Sequence, residues 1–164
     1  MDFANFTERA RAILQAAQMA ALAGRHASLL PEHLLKALID DGEGLARHIV
    51  RDAGGDPDLL KTAAEERLER LPKASGEGPH PIYMSPDLAG VLQGASEAAR
   101  AGGDRFVTAE RLLASLAAQG GAMRALFTRA AVDPAALAQA VERMRQGRTA
   151  DMPSAEENWE ALAK

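Results

Sequence analysis

Apolar residues recur along this chain at helical spacing, and the whole pattern is written twice. From Phe6 onward, Ala10, Ile13, Leu14, Ala17 and Ala21 fall on one face of a 3.6-residue period. Thr7 stands where an N-cap accepts from first-turn amides, and Gly24 where such a helix stops. The next stripe is Leu34, Leu35 and Leu38. It begins at Pro31, which suits a first helical position because it has no N–H to leave unpaired. Asp40, Asp41 and Gly42 end it. A third helix is predicted over roughly 43–53, with Leu45, Ile49 and Val50 inward. Asp56 and Pro57 then cap and open a fourth, which carries Leu60, Ala64 and Leu68.

Residues 72–84, PKASGEGPHPIYM, hold three Pro and two Gly, which forbid a helix and predict a connector. Beyond it the pattern starts again. Ser85 and Pro86 open a stripe of Leu88, Val91, Leu92, Ala95 and Ala99, stopped by Gly102 and Gly103. Thr108 is expected to cap the helix of Leu112, Leu113 and Leu116. Gly120 and Gly121 break the chain, and Met123, Leu126 and Phe127 follow. Asp133 and Pro134 open the last stripe, Leu137, Val141 and Met144. No segment alternates with period two, so no strand is predicted.

Two phrases fix the register of the repeat. LLPEHLLKALID at 29–40 and VTAERLLASLAA at 107–118 align Glu32 with Glu110, Leu34 with Leu112, Leu35 with Leu113 and Leu38 with Leu116, 78 positions apart. The two Asp-Pro steps lie 77 apart. A unit of about 70 residues is marginal alone, but two copies can bury their apolar faces against each other. The predicted fold is therefore all-α: a tandem repeat of two four-helix units forming one pseudo-twofold, eight-helix domain over 1–147. Repeat one covers about 6–71, the connector 72–84 and repeat two about 85–146. Residues 148–164 read as a polar linker in which Ser154 and Glu157 form a capping box. The helix it opens has Trp159 and Leu162 as its large apolar groups and is cut short at Lys164. That predicts a piece of a longer chain.

Composition narrows the function. Hydrophobic residues make up 47% but aromatics only 4%, and the alanine-rich remainder favours closely packed helices. A net charge of −4, with no basic cluster interleaved with aromatics, argues against nucleic acid. Cysteine is absent, which removes disulfide and thiolate chemistry and suits a reducing cytoplasm. The opening MDFANFTERAR lacks the basic and apolar regions of a secretory signal. No apolar stretch approaches the ~20 residues that span a bilayer. A cytoplasmic protein without membrane contact is expected.

Catalytic patterns are missing. There is no G-x-x-x-x-G-K-[ST] loop and no G-x-S-x-G elbow. His26, His33, His48 and His80 are not spaced as a zinc-binding helix requires. His33 reads as a partly buried polar residue at a helix start. Glu65, Glu66 and Glu69, interleaved with Arg67 and Arg70, read as a solvated face. No catalytic residue, metal or cofactor is assigned, and the chain is not expected to be an enzyme.

The stretches FTERARAILQAAQMAALAGRH, LLPEHLLKALIDDGEGLARHIVRDAGGDP, GDRFVTAERLL and GRTADMPSAEENWEAL occur in that order. Together they resemble the Clp N-domain family, and within it the N-terminal domains of ClpB-type protein disaggregases. The resemblance covers essentially the whole chain. It implies a parent that is a homohexameric, ATP-driven, stress-response chaperone working with the DnaK system. The N-domain would be an accessory module on a flexible tether. It would bind exposed apolar segments of unfolded or aggregated clients weakly and aid their delivery to the hexamer pore. The alternative, by analogy with the ClpA and ClpC relatives, is a docking site for a protein adaptor or regulator. The fragment alone would be monomeric.

The resemblance also implies site residues. Polar surface positions linked to activity in the family fall on Thr7, Asp104 and Glu110. Each has a structural reading beside it: a cap, a turn residue and a first-turn acid that suits the helix macrodipole. The family's apolar client groove, built from the first helix of the second repeat and the start of the next, matches at Val91. Gly94 and Arg111 stand where some relatives carry leucine, which predicts a shallower or shifted groove. Thr7, Val91, Asp104, Glu110 and Arg111 are the expected client-binding set. Leu30 stands where the family commonly has Thr, so that helix start lacks a side-chain cap, at a cost of ~1 kcal/mol unless Leu30 gains burial.

Overall fold

The computed structural model describes residues 3–74 and 81–156. His80, Glu157 of the expected capping box, Trp159, Leu162 and Lys164 lie outside the described residues. In chain order the elements are α1 (Glu8–Ala23), β1 (Ser28–Leu29), α2 (Pro31–Asp40), α3 (Leu45–Asp52), α4 (Pro57–Glu69), β2 (Tyr83–Met84), α5 (Pro86–Ala101), α6 (Ala109–Ala118), α7 (Ala122–Arg129) and α8 (Pro134–Arg145).

Most helix starts form for the reason the sequence suggests. Thr7 Oγ1 accepts from Ala10 N–H at 3.1 Å, and Ser85 Oγ from Leu88 N–H at 3.1 Å. Asp56 and Asp133 each accept from two first-turn amides. Thr108 departs from expectation. It occupies the N-cap, but its hydroxyl accepts from no helix amide and instead donates to Glu110 Oε1 at 2.5 Å. Leu30 has no cap to offer, yet its own N–H donates to His33 Nδ1 at 3.0 Å. This is the returning half of a capping box, with an imidazole in the place usually taken by Glu or Gln.

Gly24 also plays a different part from the one its sequence position suggests. Its φ is −80°, and the left-handed residue past α1 is Arg25 at φ 56°. Gly24 is needed for space: a Cβ there would lie 2.7 Å from the His26 ring. At the equivalent end of α5, Gly103 takes the left-handed turn at φ 83°, while a Cβ on Gly102 would meet Arg111 Nη2 at 2.4 Å. The same left-handed position recurs past α3 as Gly54 and past α7 as Ala131, at φ 90° and 62°. Ala131 is exposed and carries a Cβ in a region that disfavours one. Ala131→Gly is expected to stabilise the fold by about 1 kcal/mol, read as a rise in the urea midpoint with unchanged slope.

The halves exchange contacts symmetrically. α3 packs on α8 and α4 on α7, while α2 and α6 cross at the centre. There Leu34, Leu35 and Leu38 meet the layer that holds Leu112, Leu113 and Leu116, all 2% exposed or less. At the rim, Arg129 forks onto Glu66 with contacts of 2.6 and 3.2 Å, and Arg143 Nε reaches Asp52 at 3.0 Å. Asp52 and Arg129, like Glu66 and Arg143, are 77 positions apart. The two bridges are therefore the same bridge seen from each half, with both acids in the first repeat and both bases in the second.

The expectation of no strands is overturned on a small scale. β1 and β2 pair in parallel, Ser28 with Tyr83 and Leu29 with Met84. Phe6 and Val107 form an isolated parallel bridge. These are symmetry mates, because Leu29 and Val107, and Phe6 and Met84, are each 78 apart. Two-residue strands are too short to leave an alternating pattern, and their partners are distant in sequence. Their effect is to fasten the segment before each repeat's first helix to the segment before the other repeat's second helix.

Candidate partner-binding surface

Thr7, Asp104 and Glu110 come together where the Phe6–Val107 bridge joins the halves, and none of them is a surface group. Thr7 is fully buried, Glu110 is 1% exposed, and the Asp104 carboxylate has no exposure. Placing them on the surface is therefore corrected. Thr7 and Glu110 lie at helix starts and Asp104 in the turn past α5, all on the seam that residues 150–156 cover. Arg105 and Phe106 N–H both donate to Ala150 C=O, at 2.9 and 3.1 Å, and Glu8 N–H donates to Pro153 C=O at 2.9 Å. Glu156 reaches in, and its Oε2 accepts from Ala109 N–H at 2.8 Å.

The charges beneath form a connected set. Arg145, 1% exposed, donates through Nη2 to Asp104 Oδ1 at 2.5 Å, and its Nε lies 3.5 Å from Glu110 Oε1. Asp104 also accepts from Ala150 N–H at 3.0 Å and from Arg111 Nε at 3.1 Å. Burial pushes the Asp104 carboxyl upward, but the hydrogen bonds from Arg145 and Ala150 outweigh it and hold the group below the usual carboxylate range. Glu110 goes the other way. Burial, and then the charge of Glu156, raise it to about 7 despite the Thr108 hydroxyl and Arg145. Burial likewise raises Glu156, against hydrogen bonds from Thr7 and Ala109.

Val91 lies apart from that point, between α5 and α6, whereas Arg111 reaches it through its bond to Asp104, and the clefts described below lie elsewhere. Val91 is 2% exposed. Its carbonyl accepts from Ser115 Oγ at 2.7 Å, and a Cβ on Gly94 would sit 2.9 Å from the same hydroxyl. α5 and α6 approach closely at Gly94, and the Arg111 guanidinium fills the space beside Gly102.

Concave surface lies elsewhere. One cleft of about 570 Å³ has a floor that includes Ala12, Ile13, Ala16 and Ala37, and charges at Arg9, Lys36, Asp40 and Glu43. A second groove of about 370 Å³ runs between α1 and the strand pair, lined by Phe3, Leu14, Leu29, Ile82 and Met84 with Gln15 and Gln18. Tyr83 next to it is 67% exposed and Met84 36%. Sequence reasoning missed this groove because it depends on the strand pair. Among the described residues, no group of three or more His, Cys, Asp or Glu is placed to hold a metal ion, and no helix is long and apolar enough to cross a membrane.

A duplicated four-helix body with grooves on its surface defines the chain as a helical tandem-repeat module. Residues 5–123 match the family model described as the Clp repeat (R) N-terminal domain, and the chain belongs to that family. The chaperone protein ClpB of Brucella suis is 45% identical over 165 aligned positions, which cover 100% of this chain and 19% of that protein. Chaperone protein ClpB of Rhizobium meliloti is 42% identical with the same coverage. The chain thus spans about a fifth of the length of these relatives. Among solved structures, the Hsp104 N-terminal domain from Candida albicans superposes with a TM-score of 0.81 at 22% identity, covering 92% of this chain and 98% of that one. The N-terminal domain of the ClpV1 ATPase from E. coli gives 0.69 at 20% identity, with 82% of each chain covered. Both share the all-α fold.

Proposed function

We propose that this chain is the client-binding module of an ATP-driven protein disaggregase, and that it holds exposed apolar segments of unfolded proteins in the groove between α1 and the strand pair. The observation that carries the reading is that groove. It is open, apolar at Phe3, Leu14, Leu29, Ile82 and Met84 with Arg11, Gln15 and Gln18 on one side, and edged by Tyr83 and Met84, which stay exposed. Unpartnered apolar surface of this kind suits an extended or helical segment with spaced apolar side chains. Affinity is weak, because a client must be released, and several tethered copies on a hexamer would compensate by raising local concentration. Residues 148–164 serve as that tether in this reading, and the parent is a cytoplasmic homohexamer working with a DnaK system. Thr7 supports binding by joining the two halves through its bond to Val107, Asp104, Glu110 and Arg111 by bracing the second repeat against α8 and residues 150–156, and Val91 by packing α5 onto α6.

The test is a titration of this chain with reduced, carboxymethylated lactalbumin, a permanently unfolded protein. Binding heat and amide shifts at Leu29, Ile82 and Met84 are expected. Met84→Asp should weaken binding about tenfold, the loss of one buried side chain. Neither heat nor shifts at millimolar client would remove the proposal. Docking of a folded adaptor is the second reading, favoured by the charges around the α1–α2 cleft. It predicts capture of a native bait and indifference to the unfolded one.

A further inference from the structure

We propose that residues 150–156 are a proton-dependent latch: they dock on the seam when Glu110 and Glu156 share one proton, and lift when that proton is lost. The geometry makes the case. Glu156 enters the seam from outside the eight helices and is 1% exposed, and Glu110 beneath it is equally buried. Each carboxylate has one oxygen with a partner, Thr108 Oγ1 on Glu110 Oε1 and Ala109 N–H on Glu156 Oε2. Each also has one buried oxygen with no hydrogen bond, Glu110 Oε2 and Glu156 Oε1. Neither of these buried oxygens accepts a hydrogen bond, although the Arg9 and Arg145 guanidiniums lie nearby, and a proton on either carboxyl supplies an O–H.

The surrounding charges do not remove that need. α1 presents the Thr7 hydroxyl and Arg9, the end of α2 presents Asp41, and α6 presents Thr108, Ala109 N–H and Glu110 itself. α8 presents Arg145, whose Nη2 lies 2.5 Å from Asp104 Oδ1, a carboxylate that Arg111 shares, and whose Nε lies 3.5 Å from Glu110 Oε1. Two like charges in low dielectric cannot both persist, as in any close carboxylate pair. Docking takes one proton from solvent and lifting returns it. The sign follows from linkage. The folded pKa lies above the ordinary one, so docking is fully supported below the ordinary carboxylate range and lost as pH rises through neutrality.

Among the described residues, the first repeat does not offer the same contacts at this place. At the position of Ala109 it has Pro31, with no N–H to offer a carboxylate, and at the position of Thr108 it has Leu30. Its Glu32 is satisfied by Arg67 at 2.9 Å.

The experiment is amide hydrogen exchange by NMR on the intact chain at pH 6 and pH 8, corrected for intrinsic rates. Protection at Ala109 and Ala150 is expected to fall about tenfold in the wild type, the linkage expected for one proton bound near neutrality. The core amide of Leu116 should hold steady. Glu156→Gln keeps an acceptor for Ala109 and brings its own donor, so its protection should change less than about twofold. Carbon-13 shifts of the side-chain carboxyls should show Glu110 titrating near neutral pH and Glu156 above the ordinary carboxylate range. The proposal is overturned if wild-type protection at Ala109 and Ala150 is unchanged, if Leu116 changes in parallel, if Glu156→Gln loses protection equally, or if both carboxyls titrate at ordinary values.

Discussion

Arg145→Met is expected to cost the fold about 3 to 5 kcal/mol, the largest effect of any single substitution proposed for this chain. The residue lies at the end of α8, where sequence alone suggests a solvated base. The structure leaves it 1% exposed, between the Asp104 and Glu110 carboxylates. Removing the guanidinium leaves the Asp104 carboxylate, which has no exposure, with only Arg111 and a backbone amide. Most of the loss is the penalty of an uncompensated buried charge, not the net worth of the pair. It follows that Asp104→Asn in the Arg145→Met background should recover part of the loss, a coupling that a double-mutant cycle reads directly. Urea denaturation at pH 7 measures both. A loss below about 1 kcal/mol, or no recovery in the double variant, would show that the cluster is more hydrated than its burial implies.

The second large effect depends on pH and centres on His33. Leu30 N–H donates to its Nδ1, so the neutral ring carries its proton on Nε2 and donates to His26 Nδ1 across 2.9 Å. His26 in turn is hydrogen-bonded to the Leu68 backbone. A proton added to His33 takes away the acceptor that holds the start of α2. Burial, and then the neighbouring His26, lower its pKa to about 4; burial and Lys73 lower that of His26. The folded pKa lies below the unfolded one. Stability from His33 is therefore complete above pH 6.5 and is withdrawn as pH falls through 6.5 towards 4, by about 3 kcal/mol. Glu110 works in the opposite direction over much of the same range, since its raised pKa favours the fold at low pH. The wild-type profile alone therefore hides both. His33→Gln keeps an acceptor for Leu30 without a titration. The stability difference between wild type and this variant should move by about 3 kcal/mol between pH 4 and pH 6.5, against the wild type at the acid end. A difference that stays constant would mean that the pair is open to water.

Much of the fold was legible because its signals are local. Thr7, Asp56, Ser85 and Asp133 cap by reaching two or three residues along the chain, and stripes such as Leu34, Leu35 and Leu38 need only a helical period. The repeat was legible because its 77- and 78-residue offsets hold at many positions at once. The rest depends on partners far away in sequence. Nothing near Ser28 indicates Tyr83, and nothing near Glu110 indicates Glu156, 46 residues later. The site residues suffered most from this. Thr7, Asp104 and Glu110 look like surface groups until residues 150–156 are laid over them, and Arg111 looks like a groove residue until its guanidinium settles against Gly102. The missing side-chain cap at Leu30 was visible, but its remedy required knowing where the His33 ring turns.

The rim bridges carry a consequence for assembly. With Asp52 and Glu66 on one half and Arg129 and Arg143 on the other, each half is electrically the complement of its mate and not of itself. Exposed pairs of this kind are worth little as attraction. They tell more strongly against the wrong match, because two first halves from separate molecules would set four carboxylates face to face, and two second halves four guanidiniums. A duplicated unit that began as its own twin has in this way become sorted by sign, which favours closure of one polypeptide on itself over mispairing between like halves in a crowded cell.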